Sequence, residues 1–186
     1  MDERMTVQAK GMDEWMNVIQ ALWRKLGHPG EFFMQGAIHK EKTMPFVSYR
    51  TIKRVRDAKV DGMRSSRVEG HIPHPHIPGE FVELRTKRFI KLIEFEIQAN
   101  TSGEAEDLME RLEDLLEDYK DQLARIGVSH IEFMEQGEDE FSSEAAGTYA
   151  KRRLYYQFRY TKTRHVNVSD IESAYVSARV QDNKGG

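Results

Sequence analysis

The sequence predicts an α+β fold: a single four-stranded, largely antiparallel sheet with two main helices packed on one face, plus a long loop or arm. Two stretches carry apolar side chains every three or four residues, which is typical of helices with one buried face. In several other stretches apolar and polar side chains alternate, as in strands with one buried face. Packing both helices on the same side of the sheet buries the apolar surfaces of all these elements.

Length and composition indicate one soluble domain, at 12–168, followed by a short helix and a flexible tail at 169–186. Of the 186 residues, 39% are hydrophobic and 32% are charged. No apolar run approaches the roughly 18 residues of a membrane span, and the polar start is unlike a secretory signal. The chain has no cysteine. This excludes disulfides and zinc–thiolate sites and is typical of a reducing compartment.

The first half of the chain predicts a helix and two strands. The helix follows from an apolar stripe and ends at the turn-forming residues 27–30. The stripe consists of Met12, Trp15, Met16, Ile19, Leu22, Trp23 and Leu26. A short strand is predicted at 32–38. A second, at 45–55, has alternating side chains that place Val47 and Tyr49 on one face and Arg50 and Arg54 on the other.

Residues from about 57 to 86 show no sustained period, and we expect them to form a long loop or arm. A structureless segment near this length is uncommon in a compact domain and usually has a function. It contains the sequence HIPHPHIPG at 71–79. Because proline lacks a backbone N–H, this stretch is a poor central strand and suits docking against another protein. The candidate contact residues are Arg64, Arg67, His71, His74, His76 and Arg85.

The second half predicts a long strand, a helix and two further strands. The strand spans 88–98, and Thr101 and Glu104 have the spacing of a capping box at the start of the helix. A leucine-rich stripe continues to Ile126, and Gly127 is the expected C-terminal cap. Strands at 128–134 and 152–160 follow, separated by an acidic loop at 136–148. Ser169 and Glu172 have the spacing to begin the short C-terminal helix.

The common catalytic and phosphate-binding signatures are absent, so we expect neither an enzyme nor a cofactor. No regular conformation brings His71, His74 and His76 to one metal ion: extended backbone separates His74 and His76 by about 7 Å, and polyproline II aligns only His71 with His74. The acidic pairs Glu94/Glu96 and Asp107/Glu110 are conceivable Mg²⁺ ligands. Acids are abundant along the chain, however, which favours a solvated surface for them.

Charge is unevenly distributed along the chain. Residues 104–144 are strongly acidic, whereas 50–91 and 151–164 are basic. This segregation predicts either solvated surfaces or self-association of a basic face on an acidic one. The candidate inter-subunit or lumen acids are Glu106, Glu110, Glu113 and Glu117. Nucleic-acid binding is the alternative, because Tyr155, Tyr156, Phe158 and Tyr160 lie near basic residues; the signature of an RNA-recognition motif is missing.

Four segments, in order, resemble phage tail terminator and neck proteins, which join head to tail. They are PFVSYR at 45–50, NTSGEAEDL at 100–108, QLARIGV at 122–128 and RLYYQFRY at 153–160. The resemblance covers about 12–168 and is one of element order and side-chain character. The segment at 57–86 is longer than in compact members of the family. This leaves open which neck component the chain resembles: terminator, stopper or adaptor.

The resemblance implies a structural virion protein whose subunits form a hexameric ring in the tail neck. Such a ring caps the tail tube and joins it to the head connector. The implied partners are further copies of the chain, a tail tube or sheath protein, and a head-completion or connector protein. DNA would pass through without specific binding, and no cofactor, metal or membrane is implied. Assembly would occur in the host cytoplasm. The alternative is an α+β nucleic-acid- or protein-binding module without catalytic activity.

Overall fold

The structure is a computed structural model that describes residues 12–36, 43–57, 67–74, 77–144 and 147–167. These residues form three helices and one seven-stranded sheet. The helices are α1 (Met12–Lys25), α2 (Ser102–Asp118) and α3 (Lys120–Arg125). The strands are β1 (Glu31–Met34), β2 (Phe46–Arg56), β3 (Arg67–Pro73), β4 (Phe81–Ala99), β5 (Val128–Gln136), β6 (Glu140–Glu144) and β7 (Gly147–Asn167). The predicted C-terminal helix at 169–186 lies outside the described residues.

The prediction of a single four-stranded sheet is wrong. The main path of the seven-stranded sheet is β1-β2-β4-β7-β5, with β3 paired to β4 and β6 paired to β7. Only the β1–β2 pair is parallel among the described strands. The physical reason is the length of β4 and β7, which have 19 and 21 residues. A strand of this length has room for two neighbours along the same edge, so β2 and β3 both pair with β4.

The segment predicted as a long loop at 57–86 is largely strand where it is described. It contains β3 and the first part of β4, which pair antiparallel from Arg67↔Thr86 to Pro73↔Phe81. The backbone N–H of His74 donates to the carbonyl of Glu80 at 2.8 Å and closes the hairpin. We use the term arm for β3 together with 81–88 of β4 and 161–167 of β7.

The arm continues the central strands of the body. β4 and β7 pair without interruption from Val82↔Asn167 in the arm to Ala99↔Ala150 in the body. At about 3.4 Å per residue, the arm part of β4 is roughly 25 Å long. Because the same two strands form the middle of the body sheet, the arm is fixed to the body by paired backbone.

One apolar core lies between the helices and one face of the sheet. It joins side chains of α1 and α2 to alternate residues of β4 and β7. Phe95, which is fully buried, lies 6.1 Å from the ring of Phe32 and 5.8 Å from that of Tyr156. Trp15 of α1 contacts Phe158 with ring centroids 4.6 Å apart. The predicted placement of the two main helices on one face therefore agrees with the structure.

The start of α2 confirms the predicted cap. The hydroxyl of Thr101 accepts from the backbone N–H of Glu104 at 3.1 Å, and the Glu104 carboxylate accepts from the backbone N–H of Asn100 at 3.0 Å. The predicted single helix is interrupted at Tyr119, where α2 ends and α3 begins. None of the helices in the described part of the chain is long and apolar enough to cross a membrane.

Candidate interaction surfaces

The arm presents a basic surface on the side of the sheet that the helices cover in the body. The antiparallel register places Lys87 directly opposite Lys162, and Arg85 directly opposite Arg164. Like charges in directly opposed positions destabilise a sheet. Arg85 forms an ion pair with Glu83 at 2.6 Å. No described carboxylate forms an ion pair with the other three. We call Lys87, Lys162 and Arg164 the basic face.

Aromatic side chains lie where the basic face meets the body. The rings of Phe89 and Tyr160 stack with centroids 5.5 Å apart, and the guanidinium carbon of Arg54 lies 4.1 Å from the Phe89 centroid. Arg54 reaches this side because the register shifts between Thr51 and Lys53, which reverses the alternation of side chains beyond that point. The prediction that Arg54 shares a face with Arg50 is therefore wrong.

The histidines His71 and His74 have local partners rather than a shared ligand. His71 is exposed, with its Nε2 3.7 Å from the Glu83 carboxylate. The Nδ1 of His74 accepts from the backbone N–H of Ile77 at 3.0 Å and so helps to form the hairpin turn. Across the ranges the structure describes, no group of three metal-ligating side chains occurs.

The structure describes only some of the remaining predicted contact residues. Arg64 and His76 lie outside the described residues, and for Arg67 only the backbone position in β3 is described. Arg85 is held by Glu83, as noted above. The role of these residues in contacting a partner stays a prediction. Among the described residues of the arm, Lys87, Lys162 and Arg164 are the cations that form no ion pair.

The four predicted acids of α2 lie along one flank of the helix. Glu106, Glu110, Glu113 and Glu117 recur at intervals of three or four residues, so they face the same side. Glu106 pairs with Arg152, and Glu117 pairs with Lys120. Neither of the other two has an ion-pair partner among the described residues. Burial raises the pKa of Glu113, and the negative charges of Asp114, Glu110 and Glu106 raise it further.

A groove separates this acidic flank from β5. It is lined by Glu113, Leu116, Glu117, Ile131, Phe133 and Tyr156. The floor is apolar: the ring of Phe133 meets that of Tyr156 edge-on at 5.4 Å, yet Phe133 is 49% exposed. Within the described chain β5 pairs only with β7, so its outer edge borders the groove unpaired. We call this the acidic groove.

The opposite face of the sheet carries a network of ion pairs. Glu94 is 2% exposed, and its two carboxylate oxygens lie 2.8 and 2.9 Å from the Nε and Nη2 of Arg50. Glu96 lies 3.0 Å from the Nζ of Lys151. The sequence suggested Glu94 and Glu96 as conceivable Mg²⁺ ligands. Because each is paired with a cation, the structure instead indicates a structural role for both.

Substituting Glu113 by glutamine is expected to stabilise the monomer at pH 7 by a few tenths of a kcal/mol, since it removes like-charge repulsion. The folded state raises the pKa of Glu113 above its ordinary value of 4.5, so the ionised carboxylate destabilises the fold at higher pH. This penalty is relieved as the pH falls through the raised pKa. Urea unfolding should therefore show a gain for Glu113→Gln at pH 7 that disappears below pH 4.5. A variant less stable at pH 7 would contradict this reading.

A scan against protein-family models and a search of curated proteins each returned no match to this chain. The two surfaces described above, the basic face and the acidic groove, are therefore interpreted from their own geometry and charge.

Proposed function

We propose that the chain is a structural virion protein, a tail terminator or neck subunit whose ring caps the tail tube and joins it to the head connector. The observation that carries this proposal is the presence, on one chain, of a basic face on the arm and a separate acidic groove in the body. Two different complementary patches on one subunit favour head-to-tail association, which closes into a ring when the rotation between subunits permits. The resemblance to tail terminator and neck proteins supplies the hexamer and the position in the neck.

The buried charges also support a structural role. Glu94 and Glu96, which are 2% and 8% exposed, are matched by Arg50 and Lys151 on neighbouring strands. A general acid, base or metal ligand would need to reach a substrate or an ion. A neutralised pair within the sheet is better suited to holding β2, β4 and β7 in register.

A nucleic-acid-binding module is the second candidate, and the basic face favours it. Stacking on bases, however, requires exposed aromatic rings. Of the four aromatic residues that the sequence suggested for this role, Tyr156, Phe158 and Tyr160 are 6%, 0% and 4% exposed, and Tyr155 lies on the opposite face of the sheet from the basic face. These residues therefore offer no surface for stacking beside the basic face. Phe81 of the arm, which is 57% exposed, could stack on a base, and the other contacts would be to phosphates. Binding should weaken steeply as salt is raised, with a slope set by the number of phosphate contacts.

Deleting the gene from the phage genome that carries it tests the proposed role. We expect the infected cells to accumulate filled heads and separate tails, because the component that joins them is missing. Electron microscopy of the lysate and a plaque count measure this outcome, and a plasmid copy of the gene should restore joined particles. Infectious particles formed without the gene would contradict the proposal.

A further inference from the structure

We propose that the basic face of one copy docks into the acidic groove of the next copy, with the arm as the element that links neighbouring subunits. This inference rests on the proposed function and identifies the interface through which the ring closes. The occupant of the groove is thus the arm of a second copy of this chain. The contact residues are Lys87, Lys162 and Arg164 on one side, and Glu113, Glu117 and Phe133 on the other.

The charges of the two surfaces are complementary, and each surface is costly without a partner. On the arm, Lys87 and Lys162 lie directly opposite each other on paired strands, and neither forms an ion pair with a described carboxylate. In the groove, the pKa of Glu113 is raised by burial and by neighbouring carboxylates. A cationic partner would relieve the repulsion among the acids, and an anionic partner would relieve that among the bases. One contact between two copies satisfies both requirements.

The arm cannot make this contact within its own subunit. Lys162 and the groove residue Tyr156 lie on the same strand, β7, and on the same side of the sheet. Six residues of extended chain separate them by about 20 Å. Because β7 is paired with β4 throughout this stretch, the arm cannot fold back over the groove. The complementary surface must therefore come from another molecule.

The shape and polarity of the groove suit a strand ribbon bearing lysine and arginine. Its floor includes the half-exposed ring of Phe133 and the side chain of Ile131, and Glu113 and Glu117 form its rim. Long basic side chains can lay their aliphatic stems on such a floor while their charged ends reach the rim. Double-helical DNA offers phosphates to the basic face but nothing to the acidic groove. A second copy explains both surfaces.

A charge-reversal experiment on the full-length chain tests this interface. The arm-reversed variant carries Lys87→Glu, Lys162→Glu and Arg164→Glu, and the groove-reversed variant carries Glu113→Lys and Glu117→Lys. Each variant alone should associate about a hundredfold more weakly than wild type, because like charges then meet across the interface. Mixed in equal amounts they should assemble again, since each reversed surface meets its complement on the other variant. Analytical ultracentrifugation at low and high salt measures the association.

Two control variants reverse charges of the same sign elsewhere on the chain, two acids for the groove-reversed variant and two bases for the arm-reversed variant. Asp107→Lys with Asp118→Lys changes two exposed acids on the solvent side of α2, away from the groove. Lys53→Glu with Arg159→Glu changes two exposed bases on the opposite face of the sheet from the basic face. Both controls should assemble as wild type does. Circular dichroism of every variant verifies folding, and Lys162→Gln with Arg164→Gln replaces the arm-reversed variant if that one does not fold.

Three outcomes would overturn the inference: wild type that stays monomeric at low salt, single variants that assemble like wild type, or a mixture that fails to assemble when wild type does. Loss of DNA binding without loss of self-association in the arm variant would assign the basic face to nucleic acid instead. If both reversed variants still form rings, this interface does not close the ring, and the proposed function is not contradicted. Phage that remain infectious without the gene would contradict the proposed function itself.

Discussion

Replacing Gly30 by alanine is expected to lower the free energy of unfolding by about 3 kcal/mol or more, from backbone strain and overpacking together. Gly30 has a φ of +78°, which side chains of L-residues rarely tolerate. A Cβ there would lie 2.2 Å from the carbonyl oxygen of Pro45, so one of the two backbone segments must move. The indole N–H of Trp23 donates to the Gly30 carbonyl at 3.3 Å, so the disturbance would reach the core.

Gly36→Ala is the matched control for this substitution. Gly36 has a φ of +91°, but a Cβ there meets no atom within 4 Å. It should cost only the backbone strain, about 1–2 kcal/mol. Urea unfolding followed by tryptophan fluorescence measures both variants. Equal losses would show that the approach to Pro45 is not the reason that position 30 requires glycine.

Arg50→Met is expected to lower the free energy of unfolding by about 2–4 kcal/mol, because it leaves Glu94 buried without its counter-ion. Arg50 contacts both carboxylate oxygens of Glu94, and its side chain is 49% exposed while that of Glu94 is 2% exposed. The loss should fall towards the lower end of that range, since removing Arg50 admits some water to the carboxylate.

The double variant Arg50→Met with Glu94→Leu should recover most of this loss, because no unpaired charge then remains. Arg159→Met is the control: Arg159 is exposed on the same face, has no described ion-pair partner and should change stability by less than about 0.5 kcal/mol. If the double variant lost as much free energy of unfolding as the two single variants added together, the pairing of Arg50 with Glu94 would be contradicted. That result would mean that Arg50 does not neutralise Glu94, so that Glu94 would again be a candidate ligand or acid–base group.

Local sequence patterns predicted the elements whose burial is regular. The apolar stripe from Met12 to Leu26 predicted α1, and the spacing of Thr101 and Glu104 predicted the N-terminal cap of α2. The three- and four-residue spacing of the α2 acids likewise placed Glu106, Glu110, Glu113 and Glu117 on one flank. These predictions depend only on the period of a helix, which is a local property.

The strands of the arm and the size of the sheet were not predicted because they depend on distant pairing. In 81–88 neither face is continuously covered by helices, so the alternation of apolar and polar residues that marks a strand is weak there. The opposition of Lys87 to Lys162 is fixed by a register between residues 75 positions apart. Burial of Glu94 could not be foreseen either: alternation places it on the face away from the helices, but only the fold brings Arg50 alongside.

The ring is tested most directly by the mass of the purified chain in solution, together with negative-stain images of the same fractions. The proposal predicts a species near six times the chain mass of 21.7 kDa that appears as a ring with a central hole. A protein that remains at 21.7 kDa, both alone and when mixed with the tail tubes it is proposed to cap, and that leaves the tube ends bare, would contradict it.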